Sequence, residues 1–193
     1  MRVLIACEYS GVVRDAFLAR GHEAVSCDLL PTESPGPHFE EDIFGIIDKG
    51  WDLMIAHPPC TDLAVSGAKH FAAKIADGRQ QRALDFVQRL LDAPIDKICL
   101  ENPVSVISSK IRKPDQIIQP WMFGHEATKT TCLWLKNLPL LEATDIVDKG
   151  ARHVTKSGKS LPAWYNLPPS KDRWKIRSAT FPGIAAAMAE QWG

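Results

Sequence analysis

The stretch Arg2–Asp28, RVLIACEYSGVVRDAFLARGHEAVSCD, decides the fold. Arg2–Ala6 (RVLIA) is a short apolar run without alternation, which reads as a strand buried on both faces. Ser10 and Gly11 then open an amphipathic stretch with Val12, Val13, Ala16, Phe17 and Leu18 apolar, and Gly21 stops it. Ala24–Cys27 (AVSC) forms a second strand with Asp28 just past its end. Strand, turn, helix and strand in this order make one unit of a parallel α/β sheet.

The alternation continues outward from that unit. Leu29–His38 holds three prolines and a glycine and reads as loop, after which Asp42 caps a short helix over Ile43–Lys49. Asp52–Ala56 (DLMIA) is the next strand and runs into His57-Pro58-Pro59-Cys60. Thr61–Asp77 reads as a long mobile loop, Gly78–Leu91 as a helix, and Lys97–Leu100 (KICL) as a buried strand ending at Glu101-Asn102-Pro103. Thr131–Leu135 (TCLWL) is a further strand, 140–178 has no clean period, and Gly183–Trp192 closes the chain as a helix. The pattern predicts one domain over 1–193 with a doubly wound α/β sheet and an irregular basic segment at about 140–178.

Composition narrows the function classes. The 193 residues suffice for one domain with a sizeable core, and 45% hydrophobic with 24% charged residues is ordinary for a globular protein. The chain is neutral, with 23 basic and 23 acidic residues, so no global field marks a polyanion partner. Locally the balance differs: Lys149–Arg177 holds eight basic residues against one acid, Asp172, together with Trp164, Tyr165 and Trp174. Cations interleaved with aromatic rings suit a surface that holds phosphates and stacks bases. Its bland reading is a solvated loop. The five cysteines form no CxxC pair and read as reduced thiols, with Cys7, Cys27 and Cys99 packed in the core; no metal-ligand spacing is present. There is no signal-peptide layout and no apolar run near membrane-spanning length, so the cytoplasm is the expected location and no membrane partner is expected.

In an open α/β sheet ligands gather at the carboxyl ends of the strands. Four strand ends here carry polar or reactive groups: Ser10-Gly11, Asp28, the Pro-Pro-Cys turn and Glu101-Asn102. Two prolines hold Cys60 at a rigid turn, as a nucleophile requires, although an incidental cysteine in a turn would look the same. Glu101 after a buried strand is either a helix cap or a partly desolvated carboxyl able to engage a ring nitrogen, with Asn102 locking the turn. Asp28 stands where a nucleoside ribose is commonly held, or simply opens a loop. Only Gly11 remains of a three-glycine phosphate loop, which argues against a dinucleotide and a nicotinamide-dependent reaction.

These residues resemble one family. The run His57-Pro58-Pro59-Cys60-Thr61-Asp62-Leu63-Ala64-Val65-Ser66-Gly67 resembles the Pro-Cys loop of DNA cytosine-5 methyltransferases, and Glu101-Asn102-Pro103 resembles their Glu-Asn-Val motif, about forty residues on. Ala6–Phe17 is similar to the family's cofactor loop, and Phe181–Trp192 to its closing motif. The order of the elements is the family's, and small phage-type or prophage-type members are the nearest in build.

The resemblance implies a Rossmann-like methyltransferase sheet and S-adenosylmethionine as cofactor. Glu8, Tyr9, Ser10, Gly11 and Pro58 would line the cofactor, with Asp28 at its ribose and Asp42 at its adenine. Cys60 would add to carbon 6 of cytosine while Glu101 holds the N3 edge, supported by Asn102 and by Lys129, the nearest counterpart of the family's paired arginines. Pro59, Ser66 and Arg82, with Arg152, Lys156, Trp164 and Arg173 of the basic segment, would contact the substrate. The implied partner is nucleic acid, DNA ahead of RNA. Cys7-Glu8-Tyr9-Ser10-Gly11 departs from the family's Phe-x-Gly-x-Gly, and only the basic segment separates TCLWL from the closing motif, where the family has a large target-recognition domain. Recognition would then fall to that segment or to a protein partner. Two rival readings remain: a catalytically inactive methyltransferase-like protein that binds nucleic acid or a partner, and another pyrimidine modification at the same Cys/Glu site, on nucleic acid or a free nucleotide.

Overall fold

The computed structural model describes all of residues 1–193. In chain order the strands are β1 (Arg2–Ala6), β2 (Glu23–Asp28), β3 (His38–Glu40), β4 (Leu53–Ala56), β5 (Lys97–Pro103), β6 (Gln116–Ile118), β7 (Thr131–Lys136), β8 (Arg152–Val154) and β9 (Ser160–Pro162). The helices are α1 (Val12–Ala19), α2 (Phe71–Ala76), α3 (Arg79–Leu91), α4 (Ile107–Lys110), α5 (Arg173–Ser178) and α6 (Pro182–Trp192). Seven strands form one sheet in the order β3-β2-β1-β4-β5-β7-β6, and β8 and β9 make a separate hairpin. β1 pairs in parallel with β2 and β4, β4 with β5, and β2 with β3, while β7 runs antiparallel to both β5 and β6. The chain winds outward in both directions from β1 and β4, so the cleft of a doubly wound sheet falls at their carboxyl ends.

Side chains of the central strands alternate between two buried layers, as a period of two requires. On one face Leu4, Met54, Ile98 and Leu100 pack with Leu84, Val87 and Leu90 of α3. On the other, Val3, Ile5, Leu53 and Ile55 pack with Val13 and Phe17 of α1 and with Ile184, Met188 and Trp192 of α6. Pro182 at the first turn of α6 suits its fixed φ, and Gly11, in the left-handed region at φ 78°, turns the chain into α1.

Several expectations are revised. β5 runs to Pro103, so Glu101 and Asn102 lie within the strand; antiparallel β7 pairs Leu133 with Glu101 and Cys132 with Asn102 and extends it. Asp28 is likewise the last residue of β2, and His38 opens β3 rather than closing a loop. Asp42 does cap, accepting from the Phe44 N–H (2.9 Å), but the element it opens is a single 3-10 turn, Ile43–Gly45. The expected loop at 61–77 instead holds a 3-10 turn (Val65–His70) and α2. Buried Lys74 of α2 binds the Thr61 carbonyl and pairs with Asp62 at 3.3 Å. That tie is invisible to periodicity. The irregular segment at 140–178 contains the β8–β9 hairpin, a 3-10 turn (Ala163–Asn166) and α5. No helix is long and apolar enough to cross a membrane.

Candidate active site

A cavity of about 800 Å³ opens at the carboxyl ends of β1, β2, β4 and β5. Its floor is Cys7, Asp28, His57, Pro58, Cys60 and Glu101; Lys129 enters from the turn before β7. Trp164, Tyr165, Trp174 and Arg177 close it from above. The size suits a drug-sized ligand with room beside it.

The turn bearing Cys60 is held from below. Asn102, 1% exposed, donates its side-chain amide to the Pro58 carbonyl at 2.9 Å, which ties β5 to the double proline. The Cys60 carbonyl accepts from Leu63 N–H (3.0 Å) and Ala64 N–H (2.8 Å), and Val65 N–H reaches the Val104 carbonyl (3.0 Å). Asn102 thus fixes the turn that bears Cys60 rather than its own. Burial pushes the Cys60 thiol above its ordinary value and the Glu101 charge adds to the rise, while Lys129 and Arg177 act to lower it. Those two cations favour the thiolate.

Glu101 reaches the cavity from inside β5. His57 Nδ1 lies 3.2 Å from its Oε2, with the two side chains 10% and 14% exposed. Burial alone would raise the Glu101 carboxyl, but the His57 hydrogen bond and the Lys129 and His57 charges outweigh it and hold the group below its usual value. The arrangement offers a carboxylate, a thiol and a cation within one partly desolvated space.

On the β1 side the chain departs from what its motif suggests. Cys7 was expected in the core; it stands at φ 57°, a strained setting for a non-glycine residue, and lines the cavity. Burial drives its thiol far up, with smaller contributions from Asp28, Cys27 and Asp42. This sharp turn sends Tyr9 into the cavity and Glu8 away from it. Glu8, 5% exposed, accepts from the N–H groups of Val13 (2.8 Å) and Arg14 (3.2 Å) and from the Ser10 hydroxyl (3.1 Å). The anion site at the start of α1 is therefore filled by the chain's own carboxylate. Ser10 supports Glu8, and Gly11 gives room to buried Arg14: a Cβ there would lie 2.5 Å from the Arg14 guanidinium. Glu8, Ser10 and Gly11 thus stand outside the cavity, whereas Tyr9, Asp28 and Pro58 line it. Asp42 also stands outside, exposed and engaged in its cap.

The expected substrate residues divide in the same way. Pro59, Ser66 and Trp164 line the cavity. Arg82 is exposed on α3 and donates to the Asp77 carbonyl (3.3 Å). Arg152 braces the hairpin through Ser160, Lys156 sits in the hairpin turn, and Arg173 reaches the Tyr165 carbonyl (3.4 Å). The roof is fastened to the floor at three places: Tyr9 Oη to Ser178 Oγ at 2.9 Å, Lys175 to Glu33 at 2.5 Å, and the Tyr9 ring on Trp174 at 5.6 Å between centroids. Lys129 lies 5.8 Å from both the Trp164 and Phe181 rings, which themselves stand 4.9 Å apart. His57, Tyr165, Trp174 and Arg177 are among the lining residues that the motifs alone did not single out as site residues. The aromatic–basic composition of 149–177 was the available signal for the last three.

No protein-family model matches this chain, and no curated protein matches it. A solved structure does match, that of a protein named as a DNA modification methyltransferase encoded within an E. coli prophage. Identity is 15% and the TM-score 0.53, over 78% of this chain and 53% of that one, so the chain spans about half the length of that protein. The fold is the Rossmann-like methyltransferase fold: a single seven-stranded, mostly parallel sheet with its last long strand reversed.

Proposed function

We propose that the protein transfers a methyl group from S-adenosylmethionine to carbon 5 of a cytosine in nucleic acid, DNA ahead of RNA, through a covalent bond between Cys60 and carbon 6. The observation that carries the reading is that Cys60 and Glu101, from separate strand ends, meet in one cavity that continues to Asp28 and Tyr9. A cofactor without phosphate fits this cavity. Glu8 already occupies the anion site of α1, which excludes a pyrophosphate there, while Asp28 offers a carboxylate to ribose hydroxyls and Tyr9 and Pro58 offer apolar faces. S-adenosylmethionine supplies an electrophilic methyl group.

The chain's residues do the rest. Glu101 accepts from the exocyclic amine and, once it has taken up a proton, donates to N3, which makes carbon 6 susceptible to the Cys60 thiolate. Lys129 and Arg177 lower the cost of that thiolate. Addition moves electron density to carbon 5, the atom to be alkylated. After alkylation, loss of the carbon-5 proton and departure of Cys60 restore the aromatic ring. A base within a duplex must first leave the stack, at a cost of a few kcal/mol. The prophage neighbour's name supports a nucleic-acid substrate, and a protein partner supplies any sequence recognition that the short basic segment lacks.

The test combines calorimetry and mass spectrometry. S-adenosylmethionine should bind the purified protein at micromolar levels, and cytosine-containing oligonucleotides should gain one methyl mass, with none gained by a Cys60→Ala variant. Absence of cofactor binding by a folded sample would end the methyl-transfer reading and favour the inactive binding protein. A different mass gained at the pyrimidine would favour another modification at the same site.

A further inference from the structure

His57 stands where β4 gives way to the Pro58-Pro59-Cys60 turn. Its backbone N–H binds the Ala6 carbonyl at 2.9 Å, continuing the pairing of β1 with β4, so its position is set by the sheet. Through Nδ1 it makes the one side-chain hydrogen bond of Glu101, to Oε2, and Glu101 Oε1 is left for whatever fills the cavity. The other ring nitrogen, Nε2, is buried and has no partner in the protein. A histidine that merely filled space would need no carboxylate, and a carboxylate that merely needed a donor would be served by an amide. Imidazole differs from both because it can hold the carboxylate through one ring nitrogen and set a positive charge beside it. A buried carboxylate also loses its water and depends on the few partners it keeps.

We propose that His57 is a positioning residue for Glu101: through Nδ1 it fixes which carboxylate oxygen meets the pyrimidine edge and holds that carboxyl in place. The proposal rests on the reading of Glu101 as the base-facing carboxyl. Charged and titratable groups around the pair come from every neighbouring element. Lys129 precedes β7 and acts on Glu101 through its charge, its ammonium hydrogen-bonded to the Ala179 carbonyl (3.4 Å). Cys60 lies on the turn after β4, Cys99 on β5 and Cys132 on β7, and each of their thiols feels the Glu101 charge. Arg177 of α5 acts on Cys60. Among these, His57 alone hydrogen-bonds the carboxylate.

The test uses the full-length chain as wild type, His57→Phe, His57→Gln and Glu101→Gln. The carboxyl carbon-13 resonance that disappears in Glu101→Gln identifies Glu101, and its titration is monitored against pH. In the wild type it should titrate below the ordinary glutamate range. In His57→Phe, burial is opposed by Lys129 alone and the midpoint should rise. His57→Gln keeps a donor without the charge and should fall between. An unmoved midpoint in both His57 variants overturns the proposal. Methyl transfer to an oligonucleotide should slow by about tenfold to a hundredfold in His57→Phe through misplacement of Glu101. It should recover in part in His57→Gln, and the limb of the kcat/KM pH profile that reports Glu101 should move upward with the carboxyl. Slowing with an unshifted pH profile would assign His57 a purely structural role and overturn the proposal as well. Should no oligonucleotide be methylated, the proposed function fails, while the carbon-13 titration still decides the role of His57.

Discussion

The floor and the roof of the cavity are built differently. The floor rises from β1, β4 and β5, whose apolar residues Leu4, Ile5, Met54, Ile55, Ile98 and Leu100 are wholly buried, and whose ends cannot move without disturbing two core layers. The roof is a three-residue-per-strand hairpin and a six-residue helix, held to the floor mainly by Tyr9–Ser178, Lys175–Glu33 and ring contacts. A helix so short is not stable alone, and the Lys175–Glu33 pair, roughly 40% exposed on both sides, is screened by solvent and adds little. The difference teaches how the cavity is held: its floor is set by the packed sheet, while its cover rests on a few exposed contacts.

The largest expected effect lies on the floor. Cys60→Ala should lower methyl transfer by about 10⁴-fold or more, because the covalent route is lost. Half-buried and at the end of a turn fixed by Asn102, the side chain contributes little packing, so stability and cofactor binding should hold. Residual turnover within tenfold of wild type, read as methyl incorporation, would detach the chemistry from the floor. Asp28→Ala comes next. Losing a charged acceptor for ribose hydroxyls should weaken S-adenosylmethionine by about tenfold to a hundredfold in calorimetry. Asp28 also accepts from the Leu30 N–H at 3.0 Å, so an Asp28→Asn control separates the turn from the ligand contact.

A smaller effect tests whether the roof influences the floor chemically. Arg177, on α5, is one of two cations that work against the burial-driven rise of the Cys60 thiol. Removing it in Arg177→Ala should move the thiol further up. The thiolate fraction at neutral pH then falls, and iodoacetamide labelling of Cys60 slows by less than about tenfold, its rise with pH displaced upward. Lys129→Ala should act in the same direction. Cys27 and Cys132, both pushed to about 11, and buried Cys99 should stay unlabelled at neutral pH. An unchanged pH profile in Arg177→Ala would make the roof a cover only.

The same division explains what was legible in the sequence. Strand runs such as RVLIA and KICL announce themselves because buried parallel strands must be continuously apolar. The Pro-Pro-Cys and Glu-Asn motifs stand at or near strand ends, so the residues that meet in the cavity floor, Cys60 and Glu101, could be picked out from the sequence. The partner His57 was in plain view and unread, because a hydrogen bond between positions 57 and 101 comes from strand order and not from spacing. Glu8 and Gly11 looked like cofactor residues by position. Glu8 instead folds onto the backbone N–H groups of Val13 and Arg14, and Gly11 makes room for buried Arg14, whose guanidinium reaches Ser26, Thr32 and the Ser34 carbonyl, contacts that no local pattern encodes. The roof was the least legible part. Its elements are short, and its order comes from contacts with the loops after β1 and β2.

Asp42 carries the smallest expected effect and the finest test of the comparison. It belongs to the floor's half of the chain and its charge is felt by the Cys7 thiol, yet it is exposed, outside the cavity, and occupied in capping the turn at Ile43. Ile43 and Ile46 of that turn pack into the sheet's core layer, so the cap secures an element that the core needs. Asp42→Ala should cost about 1 kcal/mol of stability, a drop of roughly 2–4 °C in Tm for a chain of this length. Asp42→Asn, which caps equally well, should cost almost nothing. Neither variant should change S-adenosylmethionine affinity beyond about twofold, since Asp42 lies outside the cavity and its Oδ1 is turned to the Phe44 N–H. If Asp42→Asn folds normally and loses cofactor affinity, the carboxylate reaches the ligand after all. The loop after β3 would then close on the cofactor, and the floor on that side would be less fixed than its packing implies.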